Sequence, residues 1–130
     1  LFRSDLTDYG QAWTVLYSIL EGLSRHLNID RSELSGCLHW YNNRKFNRGN
    51  YSFVLFDNTP GGAGHVRQAK NDHVLWDVLL KAQSLIKNCT CGGQEADSVC
   101  YGCLCNYYNQ KQHDIMKRKY AIEFFQQLIG

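Results

Sequence analysis

The residues best suited to chemistry in this 130-residue chain are its six cysteines. Five of them fall within seventeen residues, at Cys89, Cys91, Cys100, Cys103 and Cys105. Two close pairs of thiols separated by a short polar stretch are typical of tetrahedral zinc sites, because each pair supplies two thiolates and the stretch between them brings the pairs together. The spacing therefore predicts a structural zinc ion.

Two cysteines, Cys37 and Cys105, lie outside these two pairs. Cys105 is the odd thiol: it can replace Cys103 in a Cys-x₄-Cys pair, although the shorter Cys-x-x-Cys spacing is favoured. Cys37 lies in an apolar run, and we expect it to be a buried small hydrophobic residue.

Two other uses of the cysteines compete with zinc. A secreted disulfide framework would fit the sequons at Asn50 and Asn88, but a Cys-x-Cys pair bridges poorly to itself and no secretory signal is visible. A thioredoxin-like redox motif is expected beside a βαβ unit, which does not precede Cys100. We therefore expect reduced thiols and a cytoplasmic location.

Length and composition limit what the chain does alone. At 130 residues and 44% hydrophobic content, residues 1–130 are expected to form a single domain. No apolar run is long enough to span a membrane. The sequence has no phosphate-binding loop, so we expect neither a motor ATPase within these residues nor a small-molecule substrate. The net charge of +2, which four thiolates and one Zn²⁺ would bring to zero, does not by itself indicate nucleic-acid binding. Because the chain starts at Leu1 without an apolar leader, we expect it to belong to a larger protein.

The elements that must position the cysteines follow from hydrophobic periodicity. Helical spacing of apolar residues predicts helices over about 8–28 and 72–87, the second leading directly to Cys89, and a third helix ending near Leu128. Aromatic and β-branched stretches at 37–41 and 51–56 predict an antiparallel hairpin. The order of elements indicates an α+β domain, with a hairpin or small sheet packed with three main helices and a four-cysteine zinc knuckle.

The turn of this hairpin is the best candidate for a nucleic-acid contact. It carries three cations and one aromatic ring, at Arg44, Lys45, Phe46 and Arg48. Such cations can neutralise phosphates while the ring stacks on a base. The alternative is an ordinary solvated turn with the ring folded back on the sheet.

A glycine-rich segment follows the second strand. Pro60, Gly61, Gly62 and Gly64 lie between that strand and the next helix, where backbone N–H groups can form an anion-binding nest. A tight turn that uses the conformational freedom of glycine is the equal alternative.

Several of these features occur together in one known family. Asp57, the segment Pro60-Gly61-Gly62-Ala63-Gly64, the two cysteine pairs, and then Asn109, Gln110, His113 and Arg118 follow one another in the chain. This combination closely resembles the zinc-binding domain at the carboxyl end of MrfA-type (mitomycin repair factor) DEAD/DEAH-box helicases. Related copies occur in a component of the DISARM phage-defence system. The resemblance covers about residues 13–128.

The resemblance implies both a ligand set and a biological setting. It implies that Cys89, Cys91, Cys100 and Cys103 bind the zinc ion and that Cys105 does not. It also implies an accessory module beside an ATP-driven helicase motor, in the same chain or another, with DNA as a partner in repair or phage defence. It leaves open the roles of Asn109, Gln110, His113 and Arg118. The family's Leu-Asp-Arg triplet reads Met116-Lys117-Arg118 here, so the acidic residue is missing.

Three other functions remain open. The chain is also suited to an adaptor in a multi-subunit defence complex, which would share the zinc site but not the DNA contact. A hydrolase would pair Cys37 or Cys105 with His39, His65 or His113, and a nuclease would use Asp57, Asp72 and Asp77. No protease signature or paired carboxylate spacing frames these residues, so we expect no catalysis by this domain alone.

Overall fold

The computed structural model describes residues 2–3, 6, 8–43, 48–58 and 64–129, without the side chains of residues 2, 3, 43, 48 and 108. The strands in this part of the chain are β1 (Phe2–Arg3), β2 (Leu34–Asn43) and β3 (Arg48–Asp57). The α-helices are α1 (Tyr9–Leu27), α2 (Asp72–Asn88) and α3 (Arg118–Ile129). Short 3₁₀ helices cover Arg31–Glu33, Val66–Lys70, Gly93–Glu95 and Tyr107–Ile115. The α+β prediction is confirmed.

Helix α1 lies at the centre of the domain and contacts the sheet, α2 and α3. Its apolar residues are therefore buried on more than one side, unlike those of a surface helix. Its buried hydroxyls are satisfied internally, since Thr14 and Ser18 donate to the carbonyl oxygens of Gly10 and Thr14, each at 2.7 Å. The Asp8 carboxylate accepts a hydrogen bond from the Gln11 N–H at 2.8 Å and caps the helix.

The three strands form an antiparallel sheet in the order β1-β3-β2, and one face of this sheet packs on α1. Leu38 pairs with Phe53 on that face, and a Cβ at the nearby Gly36 would lie only 3.0 Å from a methyl carbon of Leu16. Cys37 pairs with Val54 on the opposite face and is exposed. The prediction that Cys37 is buried is wrong, because strand alternation directs it away from α1.

Helices α1 and α2 cross closely at Gly22. A Cβ added there would lie 2.5 Å from the carbonyl oxygen of Val78 and 3.1 Å from the Ala82 Cβ. Helix α2 begins where the Asn71 side chain accepts the N–H groups of His73 and Val74, and it leads the chain to Cys89. Its predicted position is confirmed to within one residue.

The last helix begins later than a continuous periodicity suggests. The Tyr107–Ile115 segment is 3₁₀, with a non-helical backbone at Asn109, and α3 starts at Arg118. Ala121 and Phe125 then bury the inner face of α3. Across the described residues, no helix combines the length and apolar character needed to span a membrane.

Candidate metal centre

The first cysteine pair follows the end of α2. The Cys89 N–H donates to the Leu85 carbonyl at 3.3 Å and closes the helix, and the Gly93 N–H donates to the Thr90 carbonyl at 3.1 Å to reverse the chain. Gly92 has a φ of +78°, and a Cβ there would lie 2.7 Å from the Asp97 nitrogen. Both the dihedral angle and the space therefore require glycine at this turn.

The second pair lies in a tight knuckle turn. The N–H groups of Cys103, Leu104 and Cys105 all point to the Cys100 carbonyl, at 3.1, 3.1 and 3.0 Å. The Cys100 N–H donates to the Cys103 sulfur at 3.3 Å. Leu104 is fully buried in the core, so the knuckle is anchored to the rest of the domain.

The four sulfur atoms fit a tetrahedral metal site. All lie within 4.8 Å of one another, at Cys89, Cys91, Cys100 and Cys103. Cys89 Sγ is 3.5 Å from both Cys91 Sγ and Cys100 Sγ, while Cys103 Sγ is 3.7 Å from Cys91 Sγ and 3.9 Å from Cys100 Sγ. A tetrahedron of sulfurs, each about 2.3 Å from Zn²⁺, has edges of about 3.8 Å. The thiols are thus placed for one ion and too far apart for disulfides, which need about 2.05 Å.

The protein environment treats the four thiols unequally. A hydrogen bond from the Cys91 backbone is the main cause that lowers the pKa of Cys89 to about 7. Burial raises the pKa of the Cys91 and Cys103 thiols. A divalent cation at the centre would offset that burial cost, because it stabilises every thiolate that it binds. With all four positions taken by sulfur, such a site is closed and structural rather than catalytic.

Cys105 lies outside this group of four. It is buried beside the cluster, and desolvation raises its thiol pKa to about 11. A neutral thiol in an apolar position behaves as a small hydrophobic residue. The geometry therefore favours the shorter Cys-x-x-Cys pair over the Cys-x₄-Cys alternative.

Asn109 and His113 form hydrogen bonds within the segment that follows the second cysteine pair. The fully buried Asn109 amide donates to the Leu104 carbonyl at 2.7 Å and accepts the Asn106 N–H at 2.9 Å. His113 Nε2 lies 2.6 Å from Asn109 Oδ1 and 3.2 Å from the Asn106 carbonyl. These hydrogen bonds stabilise the segment from Leu104 to His113, whereas the side chain of the neighbouring Gln110 is exposed to solvent.

Arg118 contacts the backbone of the first cysteine pair and of the turn that follows it. It is only 5% exposed at the start of α3, and its guanidinium donates to the carbonyls of Ile86, Cys91 and Gly93. Arg118 was recognisable in the sequence as a residue shared with the family, but without a role. Its role could not be predicted from the sequence, because its hydrogen-bond partners are backbone carbonyl oxygens, which every residue has.

Asp57 has a local structural role. Its carboxylate accepts the Val66 N–H at 3.2 Å across the glycine-rich segment and fixes the start of the following 3₁₀ helix. Gly64 has a φ of +77°, a conformation that glycine adopts easily. Pro60, Gly61 and Gly62 lie outside the described residues, so the anion nest stays a prediction.

The cationic turn is only partly described. Arg44, Lys45 and Phe46 lie outside the described residues, and Arg48 begins β3 with its side chain outside them. Between α1 and the hairpin strands the structure reveals an aromatic patch that sequence reasoning missed, consisting of Tyr9, Trp40 and Tyr51. Tyr51 lies 4.8 Å from Trp40 and 6.0 Å from Tyr9 between ring centroids. Only the fold brings Tyr9 of α1 to this hairpin.

The residues proposed for catalysis do not assemble into a catalytic group in the described part of the chain. There, the four clustered cysteines are the only set of three or more metal-ligating side chains, so Asp57, Asp72 and Asp77 do not converge. His65 Nε2 lies 3.8 Å from a carboxylate oxygen of Glu33, and His113 is engaged with Asn109. Cys37 and His39 share the exposed face of β2.

Comparison with known proteins agrees with the geometry. The family model described as the MrfA Zn-binding domain matches residues 15–104, which is more than half of the chain and includes all four clustered cysteines. No curated protein and no solved structure matches the chain. The predicted zinc cofactor is confirmed by the family match and the thiol cluster together. The chain belongs to the family of MrfA zinc-binding domains.

Proposed function

We propose that this structural zinc module serves an ATP-dependent DNA helicase in the cytoplasm, where it packs on the motor and helps to engage DNA. The family match and the closed four-thiol cluster establish the zinc module. The helicase setting is supported by the order of motifs that resembles MrfA-type helicases. Thiols kept reduced for metal binding are consistent with a cytoplasmic location.

The observation that carries the DNA contact is the exposed indole of Trp40, which is 45% accessible to solvent. The ring lies over the backbone of Gly49, where a Cβ would overlap it. Its Nε1–H donates to Asn42 Oδ1 at 3.0 Å, and Tyr51 packs against it edge-on. The indole is thus held in one orientation although nearly half of it faces solvent.

A fixed and exposed aromatic ring suits single-stranded nucleic acid. Bases stack on such rings whatever their sequence, while nearby cations neutralise the backbone. Trp40 lies in the strand that leads to Arg44 and Lys45, and Arg48 begins the return strand. We propose that the DNA strand crosses the aromatic patch and that its phosphates contact this turn.

The first test removes the cations. Replacing Arg44, Lys45 and Arg48 together by alanine should weaken binding of fluorescent single-stranded DNA and flatten its salt dependence. Three lost phosphate contacts lower the slope of log K against log salt by about 2. The matched control changes three exposed cations elsewhere to alanine, at Arg67, Lys70 and Lys87, with the same change in net charge. Equal effects in the two variants would contradict a contact at the hairpin turn.

The second test removes the stacking ring. Trp40→Leu should weaken binding by roughly 5- to 150-fold, since one base stacked on an aromatic residue contributes about 1–3 kcal/mol. Trp76→Leu is the control, because Trp76 on α2 is 47% exposed but distant in sequence from the turn. Unchanged affinity in Trp40→Leu, measured by fluorescence anisotropy, would contradict the stacking role.

An adaptor in a multi-subunit defence complex is the second candidate. The observation that favours it is the sheet face opposite α1, where Phe56 is 45% exposed near Cys37. This face is suited to a protein partner, including a helicase motor in another chain. Phe56→Glu should abolish co-purification with such a partner and leave DNA binding intact. Co-purification that is unchanged in Phe56→Glu would contradict the adaptor function.

A further inference from the structure

Arg118 is a buried cation whose described partners are all neutral. Its Nη1 donates to the Ile86 carbonyl at 2.7 Å, and its Nε and Nη2 donate to the Cys91 carbonyl at 3.1 and 2.9 Å. Nη2 also lies 3.3 Å from the Gly93 carbonyl. Among the described residues no carboxylate pairs with it. Four hydrogen bonds engage four of its five N–H donors, but its positive charge still needs a counter-charge at this depth.

The thiol cluster, which includes Cys91, can supply that negative charge. Four thiolates around one Zn²⁺ carry a formal charge of −2, and Cys91, whose carbonyl accepts two of the Arg118 N–H groups, is one of them. A buried guanidinium and a partly buried tetrathiolate site would therefore compensate each other.

The backbone next to Arg118 binds the same loop. The Arg118 N–H donates to the Ser98 carbonyl at 3.1 Å, and the Lys119 N–H donates to the Ala96 carbonyl at 2.7 Å. The first N–H groups of a helix lack partners within the helix, so the loop between the two cysteine pairs caps α3. The Ile86 carbonyl lies in the last turn of α2, which the same guanidinium closes.

We propose that Arg118 is a positioning residue of the zinc site: it balances the charge of the tetrathiolate and couples metal binding to the docking of α3. Zinc binding orders the loop that accepts hydrogen bonds from the start of α3, and α3 packs on α1 and α2. Arg118 and α3 both lie beyond residues 15–104, so this role is not part of the family match.

The test compares zinc affinities by competition with a chromogenic chelator. Arg118→Gln, which removes the charge, should lower the zinc affinity by roughly 10- to 100-fold, the range for residues that support metal ligands. Arg118→Lys keeps the charge but loses the fork geometry, so its loss should be smaller. Lys119→Gln removes one charge at the next position and keeps the backbone N–H, and it should stay within twofold of the unchanged protein. An Arg118→Gln affinity within twofold would overturn the proposal.

Two further readouts separate this role from a general loss of stability. The sulfur-to-cobalt charge-transfer band of the Co²⁺-substituted protein should shift in Arg118→Gln. It should not shift in Phe53→Leu, a variant of a buried residue of β3 in the central strand of the sheet. Hydrogen exchange should show that chelation exposes the amides of α3 before those of α1. An unshifted band, or α3 amides that stay protected after chelation while α1 opens, would overturn the proposal.

Discussion

Replacing Asn109 by alanine tests whether this residue, marked by sequence but without a role, stabilises the zinc module or faces a partner. The structure places its amide fully inside the domain. It hydrogen-bonds to the Leu104 carbonyl, the Asn106 N–H and the His113 ring. We therefore expect a large loss of stability and no specific loss of partner binding.

The magnitude follows from the hydrogen bonds that alanine would remove. The Leu104 carbonyl and the Asn106 N–H each lose this hydrogen bond, and an unsatisfied buried polar group costs about 1–3 kcal/mol. Because the Asn106 end is only partly buried, we expect the free energy of unfolding to fall by about 2–4 kcal/mol in total. That is a large fraction of the roughly 5–15 kcal/mol by which domains are stable.

The assay is urea unfolding followed by tryptophan fluorescence at a buffered concentration of free zinc. The zinc buffer is necessary because unfolding releases the metal and makes the apparent stability depend on its concentration. Gln110→Ala is the control, since Gln110 is exposed and should change the stability by no more than about 0.5 kcal/mol. A fall in the free energy of unfolding of less than about 1 kcal/mol in Asn109→Ala would contradict the stabilising role that the geometry assigns to this amide.

Three other predictions follow from the site and the core. Chelation should remove one zinc per chain, as measured by elemental mass spectrometry, and should lower the melting temperature, because the metal contributes folding free energy directly; an unchanged melting temperature would contradict a structural site. In the zinc-loaded protein, iodoacetamide should modify the exposed Cys37 and spare the four clustered cysteines. After chelation, Cys89 should be the first of the four clustered cysteines to react. Because its pKa is about 7, the rate of its modification should fall about tenfold per pH unit below that value. Peptide mass spectrometry identifies the modified cysteines, and earlier modification of another clustered cysteine would contradict this prediction. Gly22→Ala should destabilise the domain by about 1 kcal/mol or more despite the better helix propensity of alanine, because its Cβ would collide with the Val78 carbonyl, and a stabilised variant in urea unfolding would refute the close helix crossing.

Local patterns predicted the elements and the metal ligands well. Helical periodicity located α1 and α2 to within about one residue because burial on one face leaves a 3.6-residue repeat. The thiol pairs were recognisable because zinc ligation depends on short spacings within one stretch of chain. The same local reasoning was wrong about Cys37, whose exposure depends on which face of the sheet α1 covers.

The sequence by itself determined that this chain is an α+β zinc module, because spacing and periodicity are properties of neighbouring residues. The tertiary structure alone decided what the remaining family residues do. Arg118 and Asn109 act through backbone carbonyls and amides, at Cys91 and Leu104 among others, which every residue possesses and no sequence marks. The convergence of Tyr9 with the hairpin aromatic residues likewise required the packing of α1 on the sheet, because residues far apart in the chain meet only once the core has formed.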